Sequence, residues 1–389
     1  MSCSTPAESA PDAAVDSGLD VAVDTGADLG VDATDTAPEA SADADVDGGG
    51  SPLKATTLAL GYDTSCALSA AGEVRCWGLW QNDDGTVGSN VTPTAIAISL
   101  TPVGLVAGSF HDCVWGTGNT MQCWGSNARG QLGVQPSLSA RGSMTPRTID
   151  LSKALKSVSL GPVFTCALHG DGSVYCFGES DLHQLGVDLP NCQQFAGAKK
   201  FACSPKPVLV DLPKAAVALS AGMPSVAWLS DGDLRAWGGS AGDLFSYLSG
   251  PTEPVTSIDA LGPGTCFLRK GERWCWNPKT GSVAKDATYP TSLAEMVGDA
   301  TFACVRTLSG DVLCRGDNTD GQLGDGTFTA RTTFVKVAGL TAKTIRAGDR
   351  HVCAIDMSDE VWCWGHGADG ELGTGKKDTQ PSAQRVLTF

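Results

Sequence analysis

Positive charge is missing from the start of this chain. The first fifty residues hold twelve aspartates and glutamates and no lysine or arginine. They account for −12 of the formal −16, leaving 27 basic against 31 acidic residues in the remainder, with no basic block anywhere. Nucleic acid and anionic membrane both require a concentrated basic face, so the pattern argues against either as a partner. Long apolar runs are absent too; nothing approaches the ~20 residues of a membrane-spanning helix. Histidine is scarce, at five. No His-Glu-x-x-His helix, nucleophile elbow, phosphate-cradling loop or paired Cys-x-x-Cys is present, so the sequence offers no catalytic residue, no metal set and no cofactor site.

Aromatic residues are also lacking across residues 1–54, as are basic ones before Lys54, and Asp12, Asp16, Asp20, Asp24, Asp28 and Asp32 recur every fourth position. On a helix these carboxylates would stack and repel, so a disordered acidic linker is expected. Cys3, followed by small polar residues and that linker, stands where a lipidated lipoprotein begins. It is the lipidation candidate and the one route to a membrane.

What is plentiful is a repeat. "VRCWG" at Val74, "MQCWG" at Met121, "VYCFG" at Val174, "LRAWG" at Leu234, "RWCWN" at Arg273, "VLCRG" at Val312 and "VWCWG" at Val361 are seven versions of one strand. Cysteine spacing specifies the turn before each. Cys66 opposite Cys76 leaves a three-residue hairpin loop whose last residue needs positive φ, which falls on Gly72. The same count gives Gly172, Gly232 and Gly310, with Asn119 and Asp359 in two further copies. Cys266 and Cys275 are nine apart, which implies a two-residue loop at Lys270 and Gly271. Seven units of this kind predict an all-β, seven-bladed β-propeller over 55–389. The chain ends in "PSAQRVLTF", similar to the strand that opens later units ("PRTIDL", "PVLVDL"). The first unit lacks that strand, so the C-terminal strand is expected to complete the first sheet and close the ring.

Loop phrases such as "WGSNARGQLG" at Trp124, "RGDNTDGQLGDG" at Arg315 and "WGHGADGELGTG" at Trp364, with "GSFHDC" at Gly108 and "GDRHVC" at Gly348, resemble the regulator of chromosome condensation repeat family over residues 55 to 389. The resemblance implies a seven-bladed propeller. Its founding member exchanges guanine nucleotide on a small GTPase; other members bind proteins, including a secreted inhibitor of β-lactamase. The first copy departs from the phrase with "WGLWQNDDGTVG" from Trp77, and no exchange-specific loop can be matched, so fold analogy alone supports that activity.

Fourteen cysteines form pairs: Cys66 with Cys76, Cys113 with Cys123, Cys166 with Cys176, Cys266 with Cys275, Cys304 with Cys314, Cys353 with Cys363, and Cys192 with Cys203 in an insertion. They read either as buried filler or as disulfides. Joint loss of the pair in copy four, to Val226 and Ala236, and the insertion's own pair favour bridges, hence a compartment outside the reducing cytoplasm. His111 and His351 share one repeat position and read as structural; His169, His183 and His366 fall near turns and read as solvated. Trp80 and Trp115 recur nowhere and are candidate partner contacts, as are Phe195, Lys199, Lys200 and Phe201 in the insertion from Asp188. The leading expectation is a monomeric, non-enzymatic protein-binding propeller of the cell envelope or exterior. The alternatives are an exchange factor-like regulator of a small GTPase in the cytoplasm and a carbohydrate-active propeller.

Overall fold

Short apolar runs between glycine turns give short strands, the second strand of most blades buried along most of its length, and no helix occurs among the described residues. A computed structural model describes residues 50–388 except 82–85, 137–141, 191–200, 223–224, 239–245, 249–256, 260–265, 277–281 and 299–300. The acidic linker to residue 49, with Cys3, and Cys192, Phe195, Lys199 and Lys200 lie outside the described residues.

Four consecutive strands make each blade. Blade one comprises Thr57–Leu60, Thr64–Leu68, Val74–Gln81 and Val87–Ile96; blade two, Gly104–Ala107, His111–Trp115, Thr120–Ser126 and Gly142–Asp150. Blade three comprises Leu155–Leu160, Phe164–His169, Val174–Glu179 and Cys203–Leu209; blade four, Ala216–Ser220, Ser225–Leu229, Leu234–Trp237 and Ser246–Leu248. Blade five comprises Ser257–Asp259, Cys266–Arg269, Glu272–Trp276 and Val283–Lys285. Blade six opens with Leu293–Gly298, Phe302–Thr307 and Asp311–Gly316. Its fourth strand is the first part of Arg331–Ala347, whose last part starts blade seven, followed by His351–Asp356, Val361–Gly365 and Gln380–Arg385. First strands of successive blades neighbour one another, and that of blade seven neighbours that of blade one. The result is a closed seven-bladed β-propeller.

Turn chemistry follows the expected arithmetic with one exception. Gly72, Gly172, Gly232 and Gly310 have φ of 80°, 84°, 91° and 90°, and Asp359 has 68°. Lys270 and Gly271, at 50° and 72°, form the two-residue turn between Arg269 and Glu272. Asn119 does not adopt positive φ. Its side chain donates instead to Leu151 O at 2.6 Å, while its own carbonyl accepts from Leu151 N at 2.8 Å. A long-range bond, invisible in hairpin spacing, fixes that turn.

Ring closure also differs from the expectation. The "PRTIDL" and "PVLVDL" segments lie in the fourth strands of blades two and three, each paired with the hairpin before it (Cys123 opposite Arg147, Cys176 opposite Val208). The C-terminal strand does the same in blade seven, with Cys363 opposite Gln384, and blade one is complete without it. A short clasp joins the ends instead: Ser51–Pro52 pairs with Leu387–Thr388, Leu53 N donates to Val386 O at 2.9 Å, and Val361 N donates to Leu53 O at 3.0 Å. Residues 51–54 therefore belong to the ring rather than to the linker. Leu53, Ala55, Val361 and Val386 pack with Trp77 in one core cluster that seals the joint.

Candidate functional site

The third strand of each blade ends at the face where the family loops lie, and those loops act as plugs between blades. In the loop between the third and fourth strands of blade two, Asn127 Oδ1 accepts from Leu132 N at 3.0 Å and Gln131 Oε1 from Arg129 N at 2.8 Å. Asn318 and Gln322 repeat both bonds in the corresponding loop of blade six. Folded this way, each loop inserts one leucine into the seam: Leu132, Leu185, Leu323 and Leu372 are all fully buried. The next blade's tryptophan receives the plug. Trp77 Nε1 donates to Glu371 O at 2.7 Å, Trp237 Nε1 to Gln184 O at 2.9 Å, and Trp364 Nε1 to Gln322 O at 3.0 Å.

Histidines stitch the same seams. Thr165 Oγ1 donates to Gln131 O, so it accepts from His111 Nε2 at 2.8 Å. Ser65 Oγ likewise donates to Glu371 O and accepts from His351 Nε2 at 2.9 Å. Burial drives both imidazoles down to about 3, so they are neutral linkers, as their shared repeat position implied. His169 and His366, expected to be solvated, are buried. His169 Nδ1 bonds Lys153 O at 3.0 Å, and His366 Nδ1 bonds Glu371.

One of the described seams lacks a plug. In blade one the third and fourth strands stay paired through Trp80 opposite Gly88 and Gln81 opposite Val87, so the described residues here continue the ladder where the other blades leave it for a plug. A pocket of about 290 Å³ opens between blades one and two, walled by Tyr62, Trp77, Trp80, Phe110, Trp124 and Met144. Tyr62 and Phe110 stack at its rim with ring centres 6.0 Å apart, and Val87, Phe110 and Tyr62 are exposed. Two polar groups are stranded in its wall. Trp124 Nε1 has no hydrogen-bond partner, and neither does Oδ1 of Asp112, a residue only 5% exposed. Asp112 occupies the position of Ser65 and Thr165, whose hydroxyls reach a plug carbonyl in their own seams.

Burial pushes the Asp112 carboxyl up to about 7, while the neighbouring Trp124 indole N–H, close to the carboxyl but outside hydrogen-bond geometry, pulls it down by less. A carboxyl raised in the folded state destabilises the fold as pH climbs from its ordinary 3.8 through about 7. Asp112→Asn is therefore expected to stabilise the protein above pH 7, by at most about 4 kcal/mol at ~1.4 kcal/mol per pKa unit, and to change little below pH 4. Urea unfolding at pH 4 and pH 8 checks this; an equal effect at both would refute it.

Of the residues singled out from the sequence, Trp80 lines this pocket. Trp115 does not join it. That ring packs against the core shared by blades two and three and lies over Gly104, where an added Cβ would come within 2.1 Å. Phe201 is 2% exposed beneath the Arg129 guanidinium, 4.2 Å from the ring centre, so it offers no face to a partner. Cys203 is disulfide-bonded. The six hairpin pairs have sulfurs at bonding distance, with directly opposed Cα atoms 4.1 Å apart in each.

Sequence reasoning missed Asp112, and also a second group beside it. Asp63, His366, Asp369 and Glu371 bring four metal-type donor atoms within 4.8 Å of one another at the seam between blades seven and one. Glu371 stands where the other plugs carry glutamine and was the available signal. Both its oxygens are engaged internally, one by His366 Nδ1 and one by Asp369 N at 2.8 Å. Burial, then Glu371 and Asp369, lift Asp63 to about 6. The acidic segment from Asp317 is satisfied by its own loop, Asp317 accepting from Thr319 and Gln322, and Asp325 from Thr327 and Arg331.

The family model of the regulator of chromosome condensation (RCC1) repeat matches residues 55–86, 155–184 and 342–371, the hairpin and loop regions of blades one, three and seven. Protein pim1 of Schizosaccharomyces pombe is 27% identical over 198 residues, covering 46% of this chain and 36% of that protein. The regulator of chromosome condensation of Mus musculus is 27% identical over 155 residues, 34% of this chain and 37% of its own length. A probable E3 ubiquitin-protein ligase, HERC4 of Rattus norvegicus, is 31% identical over 35% of this chain but only 13% of the ligase. The matched stretches thus span little more than a third of these relatives at most. Among solved structures, the ectodomain of the Physcomitrella patens receptor kinase CR4 aligns with a TM-score of 0.49 at 18% identity, covering 80% of this chain and 74% of that one. With the hairpins and plug loops that surround them, the matched stretches are regulator of chromosome condensation (RCC1) repeats, carried here on a seven-bladed ring.

Proposed function

We propose that this chain is a non-enzymatic protein-binding propeller, acting as a monomer in an oxidising compartment, in the cell envelope or outside the cell. The unplugged seam between blades one and two carries the reading. A rigid ring there presents an apolar pocket, rimmed by exposed Tyr62, Val87 and Phe110 and reached by Trp80, where the plugged seams are filled by leucine. Pockets that combine aromatic walls with a few polar groups suit the anchoring side chain of a partner. The six cysteine pairs at bonding distance support the compartment, because such pairs persist where thiols are not kept reduced. An acidic linker ending at a lipidated Cys3 would tether the ring while letting its face range.

A photo-crosslinking residue at Phe110 tests the reading in extracts of the native source. Adducts to one defined protein are expected from Phe110 and not from Leu308, which is 72% exposed in a hairpin turn on the opposite face. Equal adducts from both positions, or none from either, would overturn it.

A further inference from the structure

The same pocket specifies more than apolarity: its polar groups select the chemistry of the side chain it takes, a selection that rests on the protein-binding reading. We propose that the pocket between blades one and two receives a lysine side chain of the partner, its ammonium held by Asp112 and its stem passing the rim rings of Tyr62 and Phe110.

Charge supports this first. Asp63 and Asp112 both line the pocket, and among the described residues no lysine or arginine does. Arg350, 3.8 Å from Asp63, is shared with Asp320 at 3.7 Å and Asp349 at 3.5 Å. An anionic ligand would meet repulsion there, whereas a cation relieves it. Hydrogen bonding supports it next. Asp112 Oδ1 lies buried with no donor, which leaves a desolvated acceptor uncompensated. An ammonium supplies that donor and holds Asp112 as a carboxylate, which has lone pairs left for the orphaned Trp124 N–H.

The walls complete the fit. Aromatic faces attract organic cations, most strongly where water is excluded. Leu79, Val87 and Met144 line the passage that the methylene stem would occupy. Lysine suits the site better than arginine, since one unpartnered oxygen matches a point charge rather than a planar fork. Asp112 thus destabilises the free ring and serves the complex.

Titrating the intact protein, labelled with ¹⁵N in its tryptophan indoles, with short capped peptides carrying lysine, norleucine, arginine or glutamate at the centre tests the proposal. The lysine peptide is expected to shift the Trp80 and Trp124 indole signals, with an affinity at least tenfold above the norleucine peptide. Asp112→Asn is expected to abolish that preference, and Trp80→Ala to weaken both peptides. Norleucine binding as well as lysine would overturn the cation while leaving an apolar docking pocket. Tighter binding of arginine would overturn the choice of ammonium, and butylammonium matching the lysine peptide would overturn a protein source. Silence of both indoles toward every peptide would sink the pocket as a docking site altogether.

Discussion

Alkylation of denatured, unreduced protein is expected to leave all twelve hairpin cysteines unlabelled in the intact mass, and reduction is expected to unfold the ring at urea concentrations the oxidised protein withstands. Each described bridge closes a loop of nine or ten residues. In the chain-entropy account that is worth about 2–3 kcal/mol. Six such contributions are not simply additive, yet even partial addition approaches the ~5–15 kcal/mol that separates folded from unfolded domains. Blade four supplies the control within the molecule. Val226 faces Ala236 in the register of the cysteine pairs, both buried, so a blade of this design accepts apolar residues there without a bridge. Cys166→Val with Cys176→Ala should therefore remain folded and lose about 2–3 kcal/mol relative to the oxidised parent. Urea unfolding with and without reductant separates the possibilities. If the parent unfolds alike in both, and the double variant matches it, the cysteines are packing residues and the oxidising compartment falls with them.

The parts of this architecture legible in the sequence are those set by neighbours along the chain. Cysteine spacing locates the turn at Gly72 and the two-residue turn at Lys270 and Gly271 because hairpin register is local. The repeat position of Trp77, Trp237 and Trp364 marks them as packing residues between blades, and each donates into the preceding plug. Strand phase is less legible. A strand resembling others can pair with the hairpin before it or after it, and "PSAQRVLTF" fits either until the clasp at Leu53 and Val386 is seen. Non-recurrence marks Trp80 and Trp115 alike, yet it signals departure from the repeat rather than exposure; Gly104 gives Trp115 a seat in the core that no spacing reveals. Asp112 stays hidden for a related reason. Its significance depends on a plug missing from the neighbouring blade, some thirty residues earlier in the chain.

Removal of a plug leucine should be the most damaging single substitution on the loop face. Leu372 is fully buried in the core cluster that holds Trp77, Leu53 and Val386, so Leu372→Ala opens a cavity at the joint where the two ends of the ring meet. Truncations of this kind cost about 2–5 kcal/mol, toward the upper end where surrounding strands cannot collapse. The indole bonds allow a sharper comparison. Trp77→Phe removes the N–H that reaches Glu371 O and is expected to cost about 1–2 kcal/mol beyond the change in ring size. Trp124→Phe removes an N–H that has no partner, so its cost should be smaller by about that amount, or even reversed. Unfolding free energies of the two variants, measured side by side in urea at neutral pH, decide the matter. Equal losses would mean that the indole of Trp124 finds an acceptor in its seam after all, and the pocket would lose one of the two stranded groups that make it a binding site. A clear difference would tie the missing plug of blade one directly to the pocket beside blade two, linking a departure in the repeat to the place where this ring can accept a partner.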